Sequence, residues 1–332
     1  MSGNDRFSPS ERILSGETTD VYFLNTRQIL AAEGIDPVVT MEVFPARDGI
    51  LCGMREVTAL LARVLPETGE AWGLAEGDHI TRREVVLRIR AAYQAFGIYE
   101  TAMLGILAQE SGWATAARAC VDTAGGIPII HFGARHVHPD ASARLEYAAV
   151  VGGCAGCATP AGSALAGLEP SGTIPHALIL CLEDTVRAVE AFDRHIDPAV
   201  RRIALVDTFK DEAEESLRVA RALGDRLWGV RLDTPAERGR VTPELVREVR
   251  ARLDQAGFSH VKIVVSGGVD PERIGMFRAQ DAPVDGFGIG SAISRVSPID
   301  FTADIKEVEG QAIAKRGRIP GLTPNPRLEK IL

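Results

Sequence analysis

Cysteine is scarce in this sequence, and excess positive charge and long apolar runs are absent; each of these features excludes a class of protein. Five cysteines in a chain of 332 residues are odd in number and too few for a disulfide framework, which favours a reducing compartment. No run approaches the roughly 18 apolar residues of a membrane helix, and the N-terminus has no apolar stretch of signal-peptide length. We therefore expect a cytoplasmic protein with no membrane partner.

The charge balance is acidic, with 37 Lys and Arg against 45 Asp and Glu and a formal net charge of −8. Duplex nucleic acid requires clustered Lys and Arg, so no nucleic-acid partner is expected. Any phosphate that the protein handles must instead meet backbone amides and a few placed cations. The hydrophobic fraction of 45% excludes disordered, collagen-like and coiled-coil proteins, and the length suggests about two domains.

From about residue 200, short apolar runs alternate regularly with helical patterns. The runs are 202–208, 227–234, 260–268 and 285–290, and the helical patterns are 211–224, 242–257 and 270–280. This alternation is typical of βαβ units in a parallel sheet. Strands of continuous apolar character are covered on both faces, so the candidates are a barrel and a doubly wound sheet. We favour the barrel because polar residues cluster just past the strand ends.

The rest of the chain follows a different pattern. The N-terminal part is α+β, with predicted strands 38–44 and 84–89 and predicted helices 56–64 and 93–109. A strand-like segment after Pro298 is expected to return to it. Segments 127–133, 148–153 and 177–182 could supply earlier strands of the sheet, although the last could equally begin a helix through Ala191. The predicted domains are 1–115 with 296–332, and 116–295.

Two glycine-rich turns follow the last two predicted strands. One is Ser266-Gly267-Gly268, and the other is Gly288-Ile289-Gly290-Ser291. Glycine lets backbone amides approach an anion closely, and Asp270-Pro271 is typical of a helix start with free amides. Two such turns after the last strands of a barrel form a recurrent phosphate site. Ordinary tight turns are the alternative interpretation.

Ionisable side chains directly follow several apolar runs. Asp207, Arg231 and Asp233 come after two successive predicted strands, and Arg135 follows Phe132-Gly133. Arginines and carboxylates at converging strand ends suit a substrate with several phosphates and a Mg²⁺ ion that the acids hold through water. For any one of these residues alone, a capping Asp or a solvated Arg is the simpler interpretation.

Six ordered motifs carry a family resemblance. They are Phe132-Gly133-Ala134-Arg135, Gly172-Thr173-Ile174-Pro175-His176-Ala177, Leu205-Val206-Asp207-Thr208, Val230-Arg231-Leu232-Asp233-Thr234 and the two glycine turns. The chain resembles the nicotinate phosphoribosyltransferase family in their order and rough spacing. Shorter N-terminal matches extend the resemblance over nearly the whole chain: Thr19-Asp20-Val21-Tyr22, Glu76-Gly77, Glu100-Thr101 and Ala114-Thr115.

The resemblance implies a type II phosphoribosyltransferase of NAD biosynthesis. Such an enzyme transfers ribose 5-phosphate from phosphoribosyl pyrophosphate to nicotinate, giving nicotinate mononucleotide and pyrophosphate. The implied fold is α/β, an incomplete parallel barrel with an N-terminal α+β domain that the C-terminal tail joins, in a homodimer with sites at the interface. Mg²⁺ is implied, with ATP as a co-substrate that phosphorylates a histidine.

The same resemblance assigns roles to individual residues. His176 would be the phosphorylated histidine, and Asp207 and Asp233 would lie by the ribose, pyrophosphate and Mg²⁺. Arg135, Ser171, Thr173 and Arg231 would surround the pyridine carboxylate and C1, with Phe132 and the neighbouring subunit's Tyr22 stacking on the ring. The 5-phosphate would be held by Ser266, Gly267, Gly268, Gly288, Gly290 and Ser291.

No zinc is expected, although two patterns resemble metal sites. Cys154 and Cys157 have the spacing of a thiolate pair, but the chain has no second pair, and we interpret them as small residues in the core. The alternation of His131, His136 and His138 is a weak metal signal.

Departures from the family pattern leave alternatives open. Family members commonly have a second arginine where this chain has His136, which affects how a carboxylate would be recognised. Quinolinate phosphoribosyltransferase shares the fold, but its Thr-Arg-Lys-x-x-Pro-Gly segment is absent here. A nicotinamide enzyme would need an acidic residue between Glu146 and Glu169, where none lies. A catalytically silent ligand-binding relative is disfavoured by the joint presence of Asp207, Asp233, Arg231 and His176.

Overall fold

The computed structural model describes residues 5–332. They form two compact units: the first contains residues up to Thr115 together with Val296–Leu332, and the second is Ala116–Arg295. The strands are β1 (Val38–Pro45), β2 (Gly49–Ile50), β3 (Glu70–Gly73), β4 (His79–Ile80), β5 (Leu87–Ala92), β6 (Ile129–His131), β7 (Gly156–Cys157), β8 (Arg202–Leu205), β9 (Leu227–Leu232), β10 (Lys262–Val265), β11 (Gly286–Ile289), β12 (Phe301–Val308), β13 (Gln311–Ala312) and β14 (Glu329–Lys330).

The helices range from one turn to about seven turns. They are α1 (Glu11–Leu14), α2 (Val21–Ala32), α3 (Met54–Val64), α4 (Tyr93–Phe96), α5 (Glu100–Ala124), α6 (Pro139–Val151), α7 (Pro160–Ala166), α8 (His176–Leu182), α9 (Thr185–His195), α10 (Glu212–Leu223), α11 (Pro243–Gln255), α12 (Pro271–Ala279) and α13 (Ser291–Ser294). Within residues 5–332, no helix has the length and apolar character needed to cross a bilayer.

The first unit is built on a six-stranded antiparallel sheet in the order β13-β12-β1-β5-β3-β14. The strand β1 lies in the middle of this sheet and buries Val39, Met41 and Val43, and the amphipathic helix α3 adds Val57 and Leu60 to the same core. Because β12, β13 and β14 come from the C-terminal tail, the tail completes this unit, as predicted.

A buried carboxylate ties the tail to this sheet. Glu42 on β1 is 1% exposed and accepts hydrogen bonds from Nε (3.0 Å) and Nη2 (2.7 Å) of Arg88. It also accepts a bond from the backbone N–H of Thr323 at 3.1 Å, and the Thr323 carbonyl accepts one from Arg88 Nη2 at 2.7 Å. Removing the carboxylate would leave a half-buried guanidinium and a backbone amide without partners.

The second unit is built on a six-stranded parallel sheet in the order β7-β6-β11-β10-β9-β8. Helices α10, α11 and α12 connect β8, β9, β10 and β11 in turn, which confirms the predicted alternation. Asp211, Thr242 and Asp270 start these helices, since each side chain accepts a backbone N–H of the first turn. Among residues 5–332 the outer strands β7 and β8 do not pair, so the barrel is incomplete, as predicted.

Two upstream segments of the second unit are helical: the strand predicted at 148–153 was wrong, and of the two alternatives left open for 177–182 the helix is the correct one. Residues 148–153 form the end of α6 and the turn after it, and residues 177–182 lie in α8. A short apolar run does not distinguish a strand from a buried helix, and Pro139 at the first position of α6 starts the helix well upstream. The helix predicted through Ala191 is interrupted at Glu183, which has a left-handed φ of 59°.

Two predictions for the first unit need shifted boundaries. The strand predicted at 84–89 is β5, Leu87–Ala92, because Glu84 instead closes a turn by accepting the backbone N–H of Thr81 at 3.0 Å. The helix predicted at 93–109 breaks into α4 and α5 around a 3₁₀ turn at Gly97–Tyr99, and α5 continues to Ala124. The Tyr93 ring fills the space beside Gly97, where a Cβ would lie 2.7 Å from Cζ.

A partly buried carboxyl group lies at the start of α5. The pKa of Glu100 is raised to about 7, first by burial, which disfavours the charged form, and then by the negative charge of Asp304. A folded-state pKa above the unfolded value means that the protonated group stabilises the fold at low pH. This contribution is lost as the pH rises through about 7.

Glu42→Ala is expected to lower the free energy of unfolding by about 3 kcal/mol, because it leaves Arg88 and the Thr323 amide without their acceptor. Urea unfolding of the purified protein measures the change. Glu70→Ala is the matched control, since Glu70 pairs with Arg90 and Lys330 at the surface, and it should change stability little. Equal effects of the two substitutions would contradict the anchoring role of Glu42.

Glu100→Gln is expected to flatten the pH dependence of stability between pH 5 and pH 8. The partly buried carboxyl of Glu100 ionises in this range and the folded state loses stability, whereas the glutamine amide does not ionise. Urea midpoints measured at one-unit pH steps test this, with the exposed Glu67→Gln as control. A variant that loses as much stability as the parent over this interval would show that Glu100 is not the group that titrates.

Candidate active site at the carboxyl edge of the parallel sheet

A cavity of about 990 Å³ lies in the second unit, at the carboxyl ends of its parallel strands. Fourteen of the fifteen predicted site residues line it: Phe132, Arg135, Ser171, Thr173, His176, Asp207, Arg231, Asp233, Ser266, Gly267, Gly268, Gly288, Gly290 and Ser291. Ligands of open and closed parallel sheets bind at this edge, because the loops that carry side chains converge there.

The first glycine turn joins β10 to α12. Gly267 and Gly268 have left-handed φ values of +83° and +67°, which favour glycine. A Cβ at Gly267 would lie 2.9 Å from Asp233 Oδ1, so the backbone passes close to that carboxylate. Asp270 starts α12 by accepting the backbone N–H of Arg273 at 2.9 Å. Ser266, Gly267, Gly268 and Val269 line the cavity directly before a helix start, and turns of this kind can bind anions.

The second glycine turn joins β11 to α13 and packs against the segment after β6. A Cβ at Gly288 would meet the Phe132 ring and approach Ser266 Cβ at 3.1 Å. A Cβ at Gly290 would lie 2.7 Å from His136 Cε1 and 3.2 Å from the Phe132 carbonyl oxygen. Only glycine fits at either position without displacing these neighbours.

Asp207 and His176 form a hydrogen-bonded pair on one side of the cavity. Asp207 follows β8 and is 8% exposed, and its Oδ2 lies 3.2 Å from Nε2 of His176, the first residue of α8. The other oxygen of Asp207, Oδ1, is buried without a partner in the described structure. The pKa of Asp207 is raised, first by burial and also by the charge of Asp233, while the bond to His176 opposes the rise.

Asp233 and Arg231 lie at the end of the neighbouring strand β9. Asp233 Oδ1 accepts a hydrogen bond from Ser266 Oγ at 2.8 Å, which connects it to the first glycine turn. The Arg231 guanidinium lies 5.8 Å from the centroid of the Phe132 ring. Burial lowers the pKa of Arg231, and the charges of Asp233 and Asp207 oppose that shift. Because Arg231 Nε is also buried without a partner, the guanidinium retains a donor for a ligand.

The carboxylates of Asp207 and Asp233 are arranged so that they could bind a divalent cation. Asp207 and Asp233 follow adjacent strands, the charge of Asp233 raises the pKa of Asp207, and Asp207 keeps an unused buried oxygen. Oxygen ligands of this kind suit Mg²⁺, which needs only one or two protein carboxylates beside substrate phosphates. Within the described chain, three metal-binding side chains come close together elsewhere, in the first unit: Cys52, Glu76 and Glu110.

The histidines near the cavity have separate partners. His131 on β6 is fully buried with its Nδ1 3.9 Å from Glu146 Oε1, whereas His136 Nδ1 lies 2.9 Å from Ser294 Oγ. His138 caps α6 by accepting the backbone N–H of Asp140. The Cys154 and Cys157 thiols are buried, and Cys157 Sγ lies 3.3 Å from Ser163 Oγ.

Sequence reasoning missed several residues that shape the cavity. Arg295, directly after α13, lines it, and Arg240 donates to the Gly267 carbonyl oxygen at 3.3 Å. Buried Glu146 holds the loop after β7 by accepting the backbone N–H of Ala158 at 2.8 Å. Only Arg295 had a sequence signal, since it lies one helical turn after Ser291.

The remaining predicted residue, Tyr22, belongs to the first unit. It is 56% exposed on α2, and its hydroxyl donates to Asp20 Oδ2 at 3.2 Å. The same oxygen accepts a bond from Thr101 Oγ1 at 2.9 Å, so two of the N-terminal motifs meet. The contribution of Tyr22 to a neighbouring subunit stays a prediction.

Two models of one known protein family match most of the chain. Residues 20–111 match the family model "Quinolinate phosphoribosyl transferase, N-terminal domain", and residues 113–304 match the C-terminal domain of the same family.

Curated relatives carry a different name. A nicotinate phosphoribosyltransferase of Mycobacterium tuberculosis is 31% identical over 229 residues, 68% of this chain and 48% of the relative. One of Bacillus subtilis is 29% identical over 225 residues, 67% of this chain and 45% of the relative. The chain thus spans about half the length of the curated relatives it matches.

Solved structures agree on the fold. A nicotinate-nucleotide pyrophosphorylase of Pyrococcus furiosus matches with a TM-score of 0.87 and 43% identity, over 95% of this chain and 81% of that one. Human nicotinic acid phosphoribosyltransferase matches with a TM-score of 0.74 and 19% identity, over 92% of this chain and 77% of that one, and this match speaks for the fold alone. On the two family-model matches, the chain belongs to the quinolinate phosphoribosyl transferase family of type II phosphoribosyltransferases.

Proposed function

We propose that the protein is a nicotinate phosphoribosyltransferase, which forms nicotinate mononucleotide and pyrophosphate from nicotinate and phosphoribosyl pyrophosphate. The observation that carries this proposal is the convergence of three kinds of group in one cavity. Two glycine turns can hold a phosphate, and Asp207 and Asp233 line the same cavity. Arg231 lies 5.8 Å from the centroid of the Phe132 ring, and Arg135 is close enough for its charge to act on Arg231.

The arrangement suits a reaction in which the ribose loses pyrophosphate and gains positive charge at C1. The glycine turns anchor the 5-phosphate, and the carboxylates of Asp207 and Asp233 stabilise the positive charge that develops on the sugar. Bound Mg²⁺ would be held by these two carboxylates and would neutralise the pyrophosphate leaving group. A pyridine ring stacked on Phe132 has its nitrogen positioned for attack, with its carboxylate paired to arginine.

The charges around Phe132 favour a substrate with one carboxylate. The positive charge of Arg231 is already offset by Asp233 and Asp207, and Arg135 adds its charge to the same region. Because two aspartates already offset part of this positive charge, Arg135 and Arg231 suit one pyridine carboxylate better than two. The names of the curated relatives also support nicotinate and a place in NAD biosynthesis.

Quinolinate, with decarboxylation, is the second candidate substrate. The observation that favours it is Arg295, a third arginine lining the cavity, which could pair with a second carboxylate. The family models and the name of the Pyrococcus furiosus relative point the same way.

ATP coupling through a phosphohistidine is part of the proposal. The bond from His176 Nε2 to Asp207 places the ring proton at Nε2 and leaves Nδ1 with a free lone pair. Nδ1 would attack the γ-phosphorus of ATP, forming an N–P bond as the bond to ADP breaks. The His176 side chain is 42% exposed and lines the cavity, so it is accessible for this step.

A homodimer is also part of the proposal, since apolar side chains are exposed on α2 of the first unit. Val21 is 67% exposed, Tyr22 56% and Ile29 61%. A second copy of the chain that covered this helix would bury these side chains.

The proposal predicts that the purified protein with phosphoribosyl pyrophosphate and Mg²⁺ converts nicotinate, with a kcat/KM at least about tenfold above that for quinolinate, because a second carboxylate would have to compete with the substrate phosphate for Arg295. Chromatography of the nucleotide and a pyrophosphate assay follow nicotinate, and CO₂ release follows quinolinate. Turnover of quinolinate alone would assign the second candidate. Binding of phosphoribosyl pyrophosphate without turnover of either acid would indicate a silent relative.

ATP is expected to stimulate turnover, and His176→Ala is expected to abolish the stimulation while basal turnover remains, because the phosphorylated nitrogen is lost. Rates with and without ATP, together with phosphate transfer from γ-labelled ATP, measure this. His195→Ala, an exposed histidine at the end of α9, is the control. Undiminished stimulation in the His176 variant would remove the phosphohistidine from the mechanism.

A further inference from the structure

His136 occupies a constrained position beside the second glycine turn. It ends the short 3₁₀ turn Ala134–His136 and lines the cavity, and its Cε1 would lie 2.7 Å from a Cβ at Gly290. Nδ1 is the ring nitrogen nearer to that position, at 3.4 Å, so Nε2, on the other side of Cε1, is the nitrogen left for a ligand in the cavity beside the turn that the proposed function assigns to phosphate. His136 thus packs directly against the second glycine turn.

The other ring nitrogen is fixed by a serine on α13. Nδ1 of His136 lies 2.9 Å from Ser294 Oγ, and the backbone N–H of Ser294 donates to the Gly290 carbonyl oxygen at 3.1 Å. A hydroxyl that donates to Nδ1 requires the ring proton to be on Nε2. The serine therefore holds the orientation of the imidazole, and with Oγ–H as the donor the ring carries its proton at Nε2, where it can donate to a ligand.

The electrostatic surroundings of His136 favour a neutral ring next to an anion. Burial lowers its pKa, and the positive charges of Arg135 and Arg295 lower it further. Both arginines line the same cavity. A ligand phosphate placed here would meet the positive charge of Arg295 and a neutral N–H donor, in addition to the backbone of Gly290 and Ser291.

We propose that His136 is a ligand of the substrate 5-phosphate, with Nδ1 held by Ser294 Oγ and Nε2–H donating to a phosphate oxygen. This inference depends on the proposed phosphoribosyl substrate. It gives the histidine that replaces the family's second arginine a role in holding the sugar phosphate and no role in recognising the pyridine carboxylate.

Two amide substitutions separate the roles of the two ring nitrogens. In His136→Gln the side-chain amide reaches the position of Nε2 and can donate to the phosphate, whereas in His136→Asn it reaches only the position of Nδ1. Calorimetric titration with ribose 5-phosphate measures phosphate binding directly and does not require turnover. Titration with nicotinate is the parallel measurement for the pyridine.

We expect His136→Ala and His136→Asn to weaken ribose 5-phosphate binding by about tenfold, as the loss of a hydrogen bond to a charged group does, and His136→Gln by about threefold or less. Nicotinate affinity should change by less than about twofold in all three. Ser294→Ala should weaken ribose 5-phosphate binding by a smaller factor, because it loosens the ring without removing the donor.

Three outcomes would overturn the inference. Equal weakening in the Asn and Gln variants would show that Nε2 does not bind phosphate. Lost nicotinate affinity with intact ribose 5-phosphate affinity would return His136 to the pyridine. Unchanged affinities together with a lowered melting temperature would show that His136 has only a structural role. A failure of the proposed reaction is distinguishable, because it would abolish nicotinate turnover while the dependence of ribose 5-phosphate binding on residue 136 persisted.

Discussion

The parallel pairing of β6 with β11 is the contact on which the rest of the site depends. Ile129 to His131 pair with Phe287 to Ile289, and the backbone N–H of Phe132 then donates to the Ile289 carbonyl at 2.7 Å. This register places the Phe132 ring directly over Gly288 and the following turn beside Gly290. Side chains at these glycines would force the two strand ends apart. The glycines are therefore needed for the close packing of the ends of β6 and β11, as well as for the access of an anion.

This close approach also explains how an acidic chain could hold a highly anionic substrate. The net charge of −8 gives no long-range attraction to phosphate. Within the cavity, however, three arginines (Arg135, Arg231 and Arg295) outnumber the two carboxylates of Asp207 and Asp233, and two glycine turns line the same space. Binding by local dipoles and a few cations requires that they be fixed in position, which the packed glycine turns provide.

The fold could be predicted from the sequence where the spacing of apolar residues and the helix-capping residues indicate the same elements. The units from β8 to β11 combine apolar runs, helical spacing and Asp or Thr caps, and their order and site residues follow from the sequence. The segment from α6 to α8 lacks that agreement, because short runs of small apolar residues suit strands and buried helices equally. Contacts such as His136 with Ser294 join residues 158 positions apart, and local patterns carry no information about them.

Under the proposed mechanism, Asp207 couples the ATP step to the transfer step. Its Oδ2 is bonded to His176 Nε2, and burial raises its pKa while the bond to His176 opposes the rise. Phosphorylation of Nδ1 would make the imidazole cationic and strengthen the bond from Nε2–H to Asp207. That bond would lower the pKa of Asp207 and favour the ionised carboxylate. The phosphohistidine would thus help to keep Asp207 ionised beside the ribose at the stage when C1 becomes positive.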